Sequence, residues 1–213
     1  MSITLSALLS GVPWTIAVTS VSFVVGAVAG LPICAMRVSK NVIARSVANV
    51  FIVACRSIPP IVLLFFIFFG VGNGFLAMSG FTAAVIGLGL ITAANMSEIY
   101  RGSLAAIHPG QFEASRALNL SKAQQFRDVI LPQLGRIALP SAGTYLIGLL
   151  KDSAIASTIG VGELAFQAYH LSQETFRGLS IYAETALLYI LLSLPVAYLA
   201  RRADAHMRSK VSR

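Results

Sequence analysis

Charge is the scarcest property of this sequence. Only 11% of its 213 residues are Asp, Glu, Lys or Arg, against roughly 25% in soluble domains. Apolar residues reach 56%, and the mean hydropathy is +0.79. So few charges cannot coat a water-facing surface, which argues against a soluble enzyme, a disordered tail and a nucleic-acid-binding domain. Acidic residues are scarcest, 8 against 16 basic, for a net charge of +8. In an apolar chain that excess is the one helical membrane proteins keep in their cytoplasmic loops. Cysteine is nearly missing: Cys34 and Cys55 lack paired spacing and fall in apolar stretches, so both read as small buried residues. The three histidines, His108, His170 and His206, show no ligand spacing. They read as solvated loop or tail residues, and no metal site is expected. The chain has no G-x-x-x-x-G-K-[ST], and Gly70 to Gly74 lacks the lysine of a phosphate cradle, so it has no nucleotide site of its own. Without a G-x-S-x-G element or paired buried catalytic groups, hydrolytic chemistry has no foothold. Nor is an internal repeat visible, which weighs against a self-contained transporter of two inverted halves.

What is present is long apolar sequence. Met1 to Met36 carries no charge. A secretory signal would start with Lys or Arg, so Trp14–Met36 reads as a retained span. Ser46–Phe69 and Phe81–Tyr100 follow, divided by Gly70-Val71-Gly72-Asn73-Gly74 with a second weak point at Ser79-Gly80. A fourth span is expected over about Ile137–Thr158 and a fifth over about Leu179–Ala200. The fold expected is a single all-α integral membrane domain over 1–213, with five transmembrane helices at about 14–36, 46–69, 81–100, 137–158 and 179–200. Arg37, Lys40 and Arg45, the basic residues of 101–136 and the basic tail then share one side, with only Arg177 opposite. The positive-inside rule places the N-terminus outside and the C-terminus in the cytoplasm.

The cytoplasmic segment 101–136 does not read as a floppy loop. Pro109-Gly110 ends what precedes it, and Gln111–Leu118 is rich in helix formers. Asn119 suits a chain reversal, being the non-glycine residue that best tolerates positive φ. Ser121 and Gln124 have the spacing of a capping box, opening a second short helix toward Ile130 that Pro132 stops. Two short helices around a turn fit either an amphipathic element on lipid headgroups or a rigid element that passes motion to a soluble partner.

Here the sequence resembles a known family. Glu113-Ala114-Ser115, then Asn119, then Ile130-Leu131-Pro132 is similar to the EAA loop of ABC-importer permeases, E-A-A, three residues, G, about nine residues, I-x-L-P. Arg56-Ser57-Ile58-Pro59, Ser97-Glu98 with Arg101-Gly102 and Gly110-Gln111, and Leu149-Leu150-Lys151-Asp152-Ser153 resemble motifs of the polar amino-acid uptake branch, the histidine/glutamine-type permeases. The resemblance runs from about Thr15 to the tail. It implies a type I permease fold with an EAA coupling-helix pair, and ATPase coupling through Gly110, Gln111, Glu113, Ala114, Ser115, Asn119, Leu131 and Pro132. It implies separate ABC ATPase subunits holding ATP and Mg, a second permease chain, an extracytoplasmic solute-binding protein and a bacterial inner membrane. Asn119 replaces the family's glycine and Ser115 its second alanine, both mild changes. Asn95, Thr144 and Ala154-Ile155 depart from the pattern within spans that would line a pathway, and so bear on the substrate.

Ionisable residues inside spans are functional candidates. Arg56 stands about ten residues into the second span, roughly 15 Å from its start, just before Pro59-Pro60, where a kink is expected. It suits either a substrate carboxylate or an ion pair with Glu98 or Asp152. Lys151 and Asp152 are adjacent and point about 100° apart on a helix, so each needs another partner or a watery cavity. Arg56, Pro59, Asn95, Ser97, Glu98, Lys151, Asp152 and Ser153 are the pathway candidates. Glu184 is expected to reach interfacial water, and Phe65, Phe66, Phe68 and Phe69 to face lipid or neighbouring helices. Two functions stay open: an ATP-driven permease for a polar amino acid or related zwitterion, or a partner-independent five-span channel or carrier working as a dimer.

Overall fold

The computed structural model describes residues 3–72 and 77–209 of the chain. Asn73 and Gly74 of the anticipated break, residues 210–213 of the basic tail and the His206 side chain lie outside what is described. Among the described residues every regular element is a helix. Helix α1 covers Ile3–Arg37, α2 Val42–Ser57, α3 Pro60–Phe65, α4 Gly80–Ala105, α5 Pro109–Ala117, α6 Lys122–Gln124, α7 Leu131–Asp152, α8 Leu164–Thr175 and α9 Gly178–Ser209. Wider π turns extend α3 through Phe66–Gly72 and join α6 to α7 through Gln125–Ile130, and a tighter 3-10 stretch, Ser153–Ile159, continues α7.

Three helical stretches are long and apolar enough to cross a membrane: Thr4–Arg37, Gly80–Ala105 and Gly178–Arg202. A fourth appears if α2 and the helix beginning at Pro60 count as one broken span, bent by 105°. The expected fourth span, 137–158, is split between α7 and the 3-10 stretch and does not pass that test. Lys151 and Asp152 at the end of α7, and the polar residues before them, dilute its hydropathy.

The first span is longer than expected, since Pro13 is tolerated within a helix that already begins at Ile3. The second is broken outright. Pro59 drives Ile58 into an extended conformation, φ −80° and ψ 128°, and Pro60 opens the next helix from its first turn. In the polar segment, Pro132 does not stop a helix. It sits in the first turn of α7, where its missing N–H costs little, and the helix runs into α7 through the π turns. Helix α8 lies between the expected fourth and fifth spans, where no helix is expected from the sequence.

Packing sets the directions. Helices α1 and α4 run parallel, in contact from Trp14 against Phe81, ring centroids 5.8 Å apart, to Arg37 against Glu98. Gly26 lets them meet at close range: a Cβ there would lie 2.4 Å from Thr92 Cβ. The α2–α3 pair returns the chain between them, with Leu64 against Gly87. Helix α7 runs antiparallel to α4, from Tyr145 at Thr92 to Ile159 at Gly80. Helix α9 packs along α7, with Gly143 against Ala200, and meets α1 only near its own start, where Leu8 is buried against Ile181. The central core joins Val18, Leu64, Ala83, Leu88, Leu149 and Ile159 from α1, α3, α4, α7 and the 3-10 stretch. Of the phenylalanine run, Phe66 and Phe69 are exposed and Phe68 packs against this core.

Candidate functional site

At one end of the bundle α5, Asn119 and α6 form a helical hairpin. His108 caps α5, its Nδ1 accepting from Gly110 N at 3.1 Å, so this histidine is exposed but not idle. Asn119 holds φ at 56°, the left-handed turn its side chain tolerates. Ser121 and Gln124 complete the reciprocal capping box. Gln125 then reaches back, Nε2 donating to Phe112 carbonyl oxygen at 3.2 Å and to Ser115 Oγ. Leu120 N donates to Ser115 carbonyl oxygen at 3.1 Å. Ser115 is therefore the buried pivot of the hairpin, and a larger residue there would pry the two arms apart. Gln133 Nε2 donates to Gln111 Oε1 at 3.1 Å, tying α5 to α7.

Underneath, Ile107, Ile130 and Leu134 form a small core joined by Leu104, Phe112 and Val129. What faces away is Glu113, Ala114, Leu118 and Asn119, all exposed, with Leu118 at 74%. Leu131 and Pro132 are exposed at the start of α7, and Gly110 begins the α5 helix. The structure thus brings these residues together at one end of the bundle, with Ser115 buried inside the hairpin and Glu113, Ala114 and Asn119 facing outward.

Beside the hairpin the ends of α1 and α4 carry a charge cluster. Glu98 Oε2 lies 2.7 Å from a terminal nitrogen of Arg101, and Glu98 Oε1 lies 3.5 Å from Arg37 Nε. Arg56 is exposed in the last turn of α2. The expected Arg56–Glu98 ion pair is replaced by Arg37 and Arg101, which share the one carboxylate. Among the described residues neither Arg56 nor Lys151 makes ion-pair contact with a carboxylate.

The remaining pathway candidates divide. Ser97 and Ser153 are fully buried, their hydroxyls donating to Ala94 and Leu150 carbonyl oxygens, so neither offers a free hydroxyl. Pro59 serves the break before α3. Asn95 is half-buried on α4, its amide donating to Ile91 carbonyl oxygen at 2.9 Å. Facing it from α7 is Tyr145, whose hydroxyl donates to Thr92 Oγ1 at 3.2 Å and stands within reach of Asn95 and of the charge on Asp152. Lys151 and Asp152 are exposed at the end of α7, where the helix tightens. Thr92 and Tyr145 were not singled out in the sequence. Tyr145 stands seven residues before Asp152, a spacing that puts both on one helix face, and that signal was there to be used. Glu184 is half-buried on α9, with its Oε2 shielded and without a hydrogen-bond partner among the described residues.

The family described as "Binding-protein-dependent transport system inner membrane component" matches residues 22–209. The chain is 38% identical over 181 residues to the probable amino-acid ABC transporter permease protein YckA of Bacillus subtilis (strain 168), covering 85% of this chain and 80% of that one. It is 34% identical over 203 residues to the glutamine transport system permease protein GlnP of Escherichia coli (strain K12), covering 94% and 93%. A chain from the crystal structure of an amino acid ABC transporter with histidines superposes with a TM-score of 0.88 at 32% identity, covering 95% of this chain and 94% of that chain.

Proposed function

We infer the function from one premise, that the chain belongs to the family of binding-protein-dependent transport system inner membrane components: it is the membrane-spanning permease subunit of an ATP-driven ABC importer for a polar amino acid or related zwitterion. The solute class rests on the names of the relatives, one of which transports glutamine. The chain supplies the pathway and the coupling element. ATP and Mg belong to separate ATPase subunits, a second permease chain completes the pathway, and a solute-binding protein delivers substrate. The N-terminus lies outside a bacterial inner membrane and the C-terminus in the cytoplasm, so the hairpin faces the ATPase.

The observation that carries this reading is the hairpin itself. A push is transmitted only by an element that does not bend, and both arms are capped, joined through Ser115 and Gln125 and seated on a small core. Its exposed Glu113-Ala114 face has room for close approach and one charge for a charge-assisted contact. ATP-driven closure of the ATPase would then favour one permease conformation by differential binding. In the pathway, Asp152 suits the ammonium group of a zwitterion and Arg56 its carboxylate, with Asn95 and Tyr145 as neutral hydrogen-bond partners.

The experiment is co-purification of the chain from native membranes in mild detergent, followed by uptake in proteoliposomes. A P-loop ATPase is expected in stoichiometric amount. Glu113→Ala is expected to lower ATP-driven uptake by about tenfold or more, the loss of one charged contact at 1.5–3 kcal/mol, with the melting temperature unchanged because the side chain is exposed. Gradient-driven transport by the chain alone would overturn the reading and favour a carrier.

A further inference from the structure

Glu163 is fully buried in a chain that can ill afford charge inside. It stands where the 3-10 stretch gives way to α8, at the end of the bundle opposite the hairpin. Its Oε1 accepts from Phe166 N at 2.9 Å, which caps α8. Its Oε2 accepts from the Tyr189 hydroxyl of α9 at 2.6 Å and from the Thr15 hydroxyl of α1 at 3.4 Å. Thr15 in turn accepts from Leu164 N at 3.1 Å. Backbone contact completes the joint, since a Cβ on Gly11 would lie 2.8 Å from Glu163 carbonyl carbon. Leu8, Ala168 and Ile181 close an apolar plug over the same three helices.

Capping alone does not explain this arrangement. An exposed Ser, Thr or Asp caps a helix equally well without any desolvation cost, whereas a buried charge is seldom the most stable choice. What the side chain adds is direction: besides capping α8 it accepts from the Tyr189 hydroxyl of α9 and lies against the Thr15 hydroxyl of α1, whose one proton it shares with Gly11 carbonyl oxygen at 3.3 Å. The ten residues between Asp152 and Glu163 have little slack. Seven form the 3-10 stretch, Gly160 takes the left-handed conformation at φ 82°, and Ile159 carbonyl oxygen rests on Gly80 of α4.

We propose that Glu163 is a positioning residue of the transport cycle: by clasping α8 to α1 and α9 it anchors the far end of the Ser153–Ile159 stretch and so sets where Lys151 and Asp152 stand beside the pathway. The proposal rests on the permease reading. The role is indirect, since Glu163 is fully buried within this chain.

The test uses the whole transporter in proteoliposomes, with Glu163→Met, Glu163→Gln and Tyr189→Phe, reading recovery of the assembled complex, solute moved per ATP hydrolysed, and KM separately from maximal rate. Glu163→Met is expected to assemble normally but move up to about a hundredfold less solute per ATP, the cost of a group displaced by ~1 Å. Glu163→Gln, which keeps an acceptor for Tyr189, is expected to recover most of that loss. Coupling within twofold of wild type in Glu163→Met overturns the proposal. If that variant fails to assemble, Tyr189→Phe decides: a clear coupling loss in an assembled complex supports the clasp, and wild-type coupling overturns it. Wild-type uptake without ATP would instead refute the permease reading, a result independent of these variants.

Discussion

Asn119 shows how one residue governs the hairpin. Its φ of 56° reverses the chain between α5 and α6, a conformation that costs most L-residues about 1–2 kcal/mol. Asparagine pays less, and glycine nothing, so Asn119→Gly should leave uptake intact. Asn119→Val should weaken the turn by about 1–2 kcal/mol, seen as faster amide exchange across residues 118–125 and slower ATP-driven uptake. Exchange and uptake both unchanged would show that the turn does not limit coupling. Asn119 was legible in sequence because its conformational tolerance is intrinsic. Glu163 was not, because nothing local distinguishes a loop glutamate in water from one sealed between Thr15 and Tyr189.

Among the elements, the α1–α4 pair bears the most consequence. Gly26 faces Thr92, and Gly30 faces Met96 and Ala93, so the two backbones approach as small residues allow in membranes. Gly26→Leu has no space to occupy, and overpacking of this kind costs about 1–3 kcal/mol. The expected outcome is a lowered melting temperature in detergent, together with loosening of the Tyr100 contact to Ala27 carbonyl oxygen. An unchanged melting temperature would mean the helices slide apart freely. Helix α2 teaches a different lesson. Apolar length predicts one span over 46–69, with a kink at the proline pair. The 105° bend exceeds a kink because Ile58 leaves the helical region altogether.

For the whole molecule, alternation of helix direction separates the hairpin from the α8–α9 junction. Arg37, Glu98 and Arg101 mark one end, and Phe176, 91% exposed in a left-handed turn, marks the other. With Cys34 and Cys55 replaced by alanine, Phe176→Cys should react with a membrane-impermeant maleimide from outside intact cells. Leu118→Cys should react only after the membrane is opened. The reverse pattern would invert the orientation that the positive-inside rule gives.

Composition and pattern by themselves determined that this chain lives in a membrane, where its long apolar stretches run and which polar segment is built rigidly, because hydropathy, capping and turn preference act over a few residues. The EAA-like spacing marked the hairpin residues for the same reason. The tertiary structure alone decided that Glu98 binds Arg37 and Arg101, that Tyr145 faces Asn95 across two helices, and that α8 is clasped by Glu163. Those pairings join residues up to 148 positions apart. They depend on which helix faces pack together, and no local preference encodes that choice.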